Sequence, residues 1–205
     1  MLVRSLFTST AGIQAASDYL DLLGNNITNA DTVGFKSLAA RFQDFPYSGL
    51  DATATDPDGT RLGAGAALLF PYGQFTQGPL VITREPLDLA IQGDGFFAVA
   101  LPGGTTGYTR NGNFTIDAAG QLVTEDGFLV APGVTVPPGT TDVTVAPDGT
   151  VTAVTPDGPL AVGTLTLTTF RNPPGMARVG NTTFAETAAS GPPTASAPGR
   201  GVAGT

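Results

Sequence analysis

Residues 2–30, LVRSLFTSTAGIQAASDYLDLLGNNITNA, decide the architecture of this chain. Apolar or small residues fall at Leu2, Leu6, Ser9, Ile13, Ala16, Leu20, Leu23, Ile27 and Ala30, in alternating steps of four and three. That spacing keeps one stripe on one side of an α-helix and forms a heptad seam of the coiled-coil type. Gly12 and Gly24 each cost about 1 kcal/mol relative to alanine in a helix, so the segment is weak by itself. Asn25, Asn26, Asn29 and Gly34 are residue types suited to ending it. Fully burying Leu6, Ile13, Leu20, Leu23 and Ile27 would contribute about 8 to 15 kcal/mol, which rivals the net stability of a domain. No second helical heptad occurs in residues 35–205, so the seam predicts a partner helix from another chain. The alternative is a stripe covered by the β-rich remainder of the same molecule.

Working outward, residues 35–70 mix Asp56-Pro57-Asp58-Gly59 with a small-residue patch, Gly63 to Ala67, and predict an extended linker or arm. From residue 71 to 187 the pattern becomes short β-rich runs punctuated by Asp94-Gly95, Asn111-Gly112, Asp126-Gly127, Asp148-Gly149 and Asp157-Gly158. Such pairs suit hairpin turns, which need positive φ. Phe96 to Leu101, Asn113 to Ile116, Thr141 to Ala146, Thr150 to Val154 and Val162 to Phe170 alternate or are continuously apolar and predict strands. The fold class is therefore mainly β: one compact all-β domain over 71–187, preceded by a long helix over 1–34 and an arm over 35–70. Residues 188–205 are nearly all Ala, Gly, Pro, Ser and Thr and read as a flexible tail.

Composition removes whole classes of function. The 205 residues contain no Cys and no His, which excludes a thiol nucleophile, an imidazole base, a disulfide framework and a cysteine or histidine metal site. Nine basic against 17 acidic residues leave a net charge of -8, the wrong sign for a nucleic-acid surface. No apolar stretch is long enough to span a bilayer. Met1 to Phe7 begins like a secretory signal, but Thr8, Ser9, Thr10, Gly12, Gln14, Ser17 and Asp18 interrupt the apolar core that a signal needs. The N-terminus is expected to be retained.

The remaining motifs are weak as chemistry. Asp88, Asp94 and Asp126 could supply a glycosidase carboxylate pair, yet Asp94 and Asp126 each precede glycine, and turn formation explains them more simply. Gly93-Asp94-Gly95 and Gly63-Ala64-Gly65 do not complete a phosphate-binding loop, and Pro57 breaks the calcium-loop pattern at 56–59. No enzyme activity, cofactor or metal is expected. Phe96 and Phe97 are adjacent, so a strand sends them to opposite faces; one is a candidate subunit contact, unless both faces are covered. Lys36, the only lysine, pairs with a neighbour or is solvated.

Three blocks then carry a resemblance. Leu22 to Lys36, LLGNNITNADTVGFK, resembles the N-terminal signature of bacterial flagellar rod and hook proteins, an asparagine-rich helix end followed by Gly34-Phe35-Lys36. Phe75 to Val99, FTQGPLVITREPLDLAIQGDGFFAV, is similar to the family's central motif, and TRNGNFTIDAAGQLVTEDGF at 109–128 continues it in order. VTVPPGTTDVTVAPDGTV at 134–151, GTLTLTTFRNPPGM at 163–176 and FAETAASGPP at 184–193 are most similar to the family's distal rod members.

The resemblance implies a structural subunit that stacks helically into the shaft carrying motor torque to the hook. Its N-terminal helix would lie in an inner coiled-coil layer, with the β domain outside. It implies as partners further copies of the chain, other rod and hook subunits and surrounding ring proteins. It also implies a place in the basal-body rod crossing the periplasm, reached by type III export without signal cleavage. Family members continue into a C-terminal heptad helix; the sequence here stops at Thr205, where that helix would begin. The expected self-assembly residues are Leu2, Leu6, Ile13, Ala16, Leu20, Leu23 and Ile27, and the expected helix-end motif is Asn25, Asn26, Asn29, Gly34, Phe35 and Lys36. A proximal rod or hook-type subunit, or a secreted β-rich binding module with an oligomerising helix, are the competing readings.

Overall fold

The computed structural model describes residues 2–45, 48–49, 61–62, 65–180, 182–196 and 202–204. The turn expected at 56–59 and the Leu2 side chain lie outside what is described. The chain divides into two units, one of Met1–Ala30 with Ser37–Gln74, the other of Asp31–Lys36 with Phe75–Thr205.

The first unit is a helix with a ribbon laid on it. The helix spans Leu2–Thr28, so the heptad pattern overrides the cost of its two glycines. Its last carbonyls are taken by Asn29 N, which donates to Asn25 O at 3.1 Å, and by Ala30 N, which donates to Ile27 O at 3.2 Å. The expected arm is extended locally but doubles back on itself. Leu38–Ala39 pairs with Tyr72–Gly73, Phe42–Asp44 with Ala66–Leu68, and Ser48–Gly49 with Arg61–Leu62, all antiparallel. These nested pairs make one two-stranded ribbon, pinned by the Arg41 guanidinium 5.3 Å over the Tyr72 ring. A lone ribbon is at best marginally stable; here it gains a support, because Ala15 and Leu22 of the helix are buried within the unit. A Cβ on Gly65 would lie 3.3 Å from the Ala11 methyl, so small residues set the closeness of the two backbones.

The second unit is all β. Its largest sheet runs Phe114–Ile116, Leu122–Thr124, Leu129–Val130, Phe96–Ala100, Thr106–Thr109, Thr183–Ala185, Ala177–Arg178, with every pair antiparallel. Leu167–Thr169 joins it through Phe96 and Phe97 and also pairs with Thr194–Ser196. A three-stranded sheet orders Asp142–Val145, Thr150–Thr155 and Gly158–Thr164. The main core gathers Phe97, Val99, Phe114, Leu122, Val130, Val134, Val151, Leu165 and Leu167. A second, aromatic core contains Phe96, Tyr108, Phe170 and Phe184.

Several local expectations are corrected. Phe96 and Phe97 do point to opposite faces, but both are fully covered, each in its own core, so neither is a subunit contact. Asp126-Gly127, Asp148-Gly149 and Asp157-Gly158 form hairpin turns. Asp94-Gly95 instead links Leu89–Ile91 to Phe96–Ala100, two strands that do not pair with each other. Asn111-Gly112 is no hairpin: Gly112 is needed because a Cβ there would collide with the Leu89 carbonyl oxygen. The run Val162 to Phe170 splits between two sheets, ending Gly158–Thr164 and then forming Leu167–Thr169. The expected flexible tail also contains ordered chain. Ser190 is fully buried, and its hydroxyl hydrogen donates to Thr187 O at 2.9 Å. Thr194–Ser196 forms the ladder above, and Val202–Gly204 pairs with Leu89–Ile91. Backbone pairing does not need aliphatic side chains, so composition alone missed it.

Candidate assembly surface

The helix has two faces with opposite fates. One carries Ala15 and Leu22, which are buried, and the helix packs along Ala66–Leu68 and Leu38–Ala39 of the ribbon in its own unit. The other carries Leu6, Ile13, Leu20 and Ile27, seven residues apart, which remain 65%, 71%, 66% and 75% exposed. Ala16 is exposed as well and Leu23 is partly buried. A row of four long aliphatic side chains on a solvent face is a contiguous apolar strip, the kind of surface that marks an association site rather than a monomer's exterior. The buried face was not anticipated from the sequence. Its signal was the small-residue spacing of Ala11 and Ala15 ahead of Leu22, masked by the stronger aliphatic heptad.

The asparagines at the helix end divide by role. Asn26 Nδ2 donates to Leu38 O at 2.8 Å, and Leu38 N donates to Asn26 Oδ1 at 2.8 Å. The side-chain amide thereby imitates a strand rung, fastening the start of the ribbon to the helix. Two such bonds are worth about 0.5 to 1.5 kcal/mol each. Asn29 Nδ2 donates to Asn25 O at 2.9 Å and so helps close the last turn. The Asn25 side chain is exposed. Two of the three therefore work inside the unit.

Gly34-Phe35-Lys36 forms a clip in the β unit. Gly34 has φ 73°, and a Cβ on it would lie 2.5 Å from Asn111 N, so both its conformation and its space require glycine. Phe35 lies under the Arg178 guanidinium at 5.2 Å, and Phe184 takes the same guanidinium at 5.3 Å. Arg178 Nη2 donates to Lys36 O at 2.7 Å. Lys36 is neither solvated nor aimed outward: it is 8% exposed and Nζ donates to Thr76 O at 2.8 Å. Burial first, and the nearby Arg110 charge second, hold its ammonium below the usual lysine value. Burial also lowers Arg110, with Asp94 acting in the opposite direction. Arg110 is covered by the Phe96 ring at 5.0 Å, and its Nε is buried with no hydrogen-bond partner among the described residues.

A groove of about 840 Å³ is lined by Glu85, Asp88, Phe114, Asp117, Pro138 and Asp142 among others. Asp117 Oδ1 accepts from Ala119 N and Gln121 N at 2.9 and 2.7 Å, and Asp142 Oδ1 accepts from Val143 N at 2.8 Å. These acids shape turns and strand starts. Among the described residues no group of three His, Cys, Asp or Glu could hold a metal ion, and no helix is long and apolar enough to cross a membrane.

Comparison with known proteins agrees with this arrangement. The model for the flagellar hook protein FlgE/F/G D1 domain matches residues 90–153. The flagellar basal-body rod protein FlgG of Caulobacter vibrioides is 41% identical over 207 residues, covering 96% of this chain and 79% of that protein. FlgG of Borreliella burgdorferi is 35% identical, covering 97% and 79% respectively. The flagellar hook protein FlgE of Helicobacter mustelae is 38% identical over 138 residues, 63% of this chain and 30% of that protein. With likeness at this level running through helix, clip and sheets alike, the chain belongs to the flagellar basal-body rod protein family.

Proposed function

We propose that this chain is a structural subunit of the distal rod of the bacterial flagellum, and that it polymerises helically through the exposed row of its N-terminal helix. The observation that carries the reading is the bare aliphatic row of Leu6, Ile13, Leu20 and Ile27, whose burial by neighbouring copies would convert apolar area into assembly free energy. The remaining seam positions Leu2, Ala16 and Leu23 would flank that contact. The Asn26 rung would hold the helix end in shape for it. Other rod and hook subunits are proposed as axial neighbours, with ring proteins around the shaft. The setting is the periplasm-crossing rod, reached by export without signal cleavage. A shaft that transmits torque needs many repeated contacts and no catalytic centre.

Hydrogen exchange on dilute and on concentrated protein tests this. The reading expects residues 6–30 to gain protection on assembly while Phe96–Ala100 and Thr150–Thr155 stay protected throughout. Full protection of Leu6, Ile13, Leu20 and Ile27 in a dilute monomer, with no polymer at high concentration, overturns it.

A further inference from the structure

The β unit displays an apolar segment with a strained arginine beside it, and a groove of matching chemistry. Leu80, Val81 and Ile82 are consecutive and all exposed, the last two at 70% and 77%, the most exposed large apolar side chains of that unit among the described residues. A run of large apolar side chains standing in solvent marks a contact. Two residues beyond Ile82, the exposed Arg84 holds φ 64°. Left-handed backbone in a residue with a Cβ is costly and recurs where a contact fixes the side chain. The groove holds about 560 Å³, within the range that takes up a ligand-sized group, and its apolar lining is Leu101, Pro102, Phe128 and Val179. Asp126, which is exposed, also lines it, and among the described residues no basic side chain does.

We infer that Val81 and Ile82 of one copy seat in this groove of a second copy, with Arg84 paired to Asp126. Charge and spacing select that occupant. The groove joins apolar walls to one carboxylate, and the segment joins apolar side chains to one guanidinium; Glu85, next in sequence, lines the other groove. Ile82 and Arg84 are two residues apart, as are Phe128 and Asp126. Two residues span at most about 7 Å, so an isoleucine resting on Phe128 leaves the guanidinium within reach of the carboxylate. Apolar burial supplies the affinity, and the ion pair sets the direction of docking. The partner is a second copy because every chain carries both surfaces, and here the segment stands exposed and not in its own groove. The two surfaces differ, so the contact is heterologous and propagates instead of closing into a dimer. This contact deepens the rod reading, on which it rests, by adding a contact between β units to the helical one.

The lack of cysteine makes the test clean. Single variants Ile82→Cys and Val179→Cys are mixed in equal amounts, concentrated and oxidised. Side chains in contact bring their Cβ atoms near disulfide range. The mixed 82–179 dimer should therefore form at least about tenfold faster than the dimer of a control pair, Ile82→Cys with Leu160→Cys; Leu160 is similarly exposed but does not line the groove. In parallel, Ile82→Ser should raise the concentration needed for polymer about tenfold. Arg84→Glu and Asp126→Lys should each raise it about fivefold, and the two combined in one chain should bring it back to within about twofold of the unmodified chain. Thermal unfolding of dilute samples checks that each variant is folded. Polymer that forms without the preferential cross-link, or at a threshold that Ile82→Ser leaves unmoved, overturns the groove contact and leaves the rod reading standing. A combined variant no better than the single ones overturns the pairing of Arg84 with Asp126. Preferential cross-link without polymer supports the groove contact and sinks the rod reading. Absence of both cross-link and polymer overturns both.

Discussion

Exchange of Leu20 for asparagine separates assembly from folding. Leu6, Ile13, Leu20 and Ile27 retain about two thirds or more of their exposure. Completing the burial of one such side chain is worth ~1 to 2 kcal/mol, and of all four ~4 to 8 kcal/mol per subunit. Leu20→Asn should therefore raise the critical concentration for polymer by about 5- to 30-fold, at 1.4 kcal/mol per decade, and leave the melting temperature of the dilute chain unchanged. Leu22, two positions on but on the opposite face, is buried. Leu22→Ala should cost about 2 to 5 kcal/mol of stability and lower the melting temperature of its unit by roughly 8 °C or more. Sedimentation of a concentration series, alongside thermal unfolding of dilute samples, reads both. Equal loss of stability in the two variants, with an unshifted sedimentation threshold for Leu20→Asn, would refute the two-faced helix.

Three further outcomes follow from other parts of the molecule. Gly112→Ala should destabilise the β unit by at least about 3 kcal/mol, because the strands must separate around the new methyl; Gly127→Ala, with open space at φ 81°, should cost only about 1 to 2 kcal/mol, and urea midpoints distinguish them. Arg84 holds φ 64°, a conformation costing about 1 to 2 kcal/mol in a residue with a Cβ; Arg84→Gly should stabilise the dilute chain by up to about 1 kcal/mol once unfolded-state entropy is subtracted, seen as a higher urea midpoint. The pH dependence has two limbs. Lys36 is depressed from 10.5 by burial and then Arg110, so the unfolded chain binds that proton more tightly and stability rises with pH up to about 10.5. Tyr108 is raised from 10.0 by burial and then Glu186; the folded chain keeps that proton longer, so its contribution is lost as pH climbs above about 10. Lys36→Met should flatten the rise and Tyr108→Phe the fall, in unfolding curves taken at successive pH values.

The helix was legible because long side chains recur along it at a spacing of seven; that spacing left open whether the row is covered within the chain, and the structure leaves it exposed. The strands over 96–100, 114–116 and 150–155 were legible for the same reason of period. What escaped was pairing that leaves no mark in side-chain pattern. The ribbon at 38–73 and the ladders of Thr194–Ser196 and Val202–Gly204 are held by backbone groups under small or mixed side chains. Lys36 escaped because its burial depends on Thr76, forty residues away, and on the stacked Arg178. Asn111-Gly112 misled because glycine serves close approach as well as turns, and only Leu89 on the facing segment distinguishes the two.

The amide rung of Asn26 has a chemical consequence. Hydrolysis of that one amide to a carboxylate exchanges a donor for an oxygen and sets it against the Leu38 carbonyl, so a bond becomes a repulsion without any change in size. Spontaneous deamidation, the slow ageing of asparagine, would thus unlatch the ribbon from its helix. The helical backbone around Asn26 opposes the ring closure through which that ageing proceeds, so the same regular structure that presents the latch also preserves it.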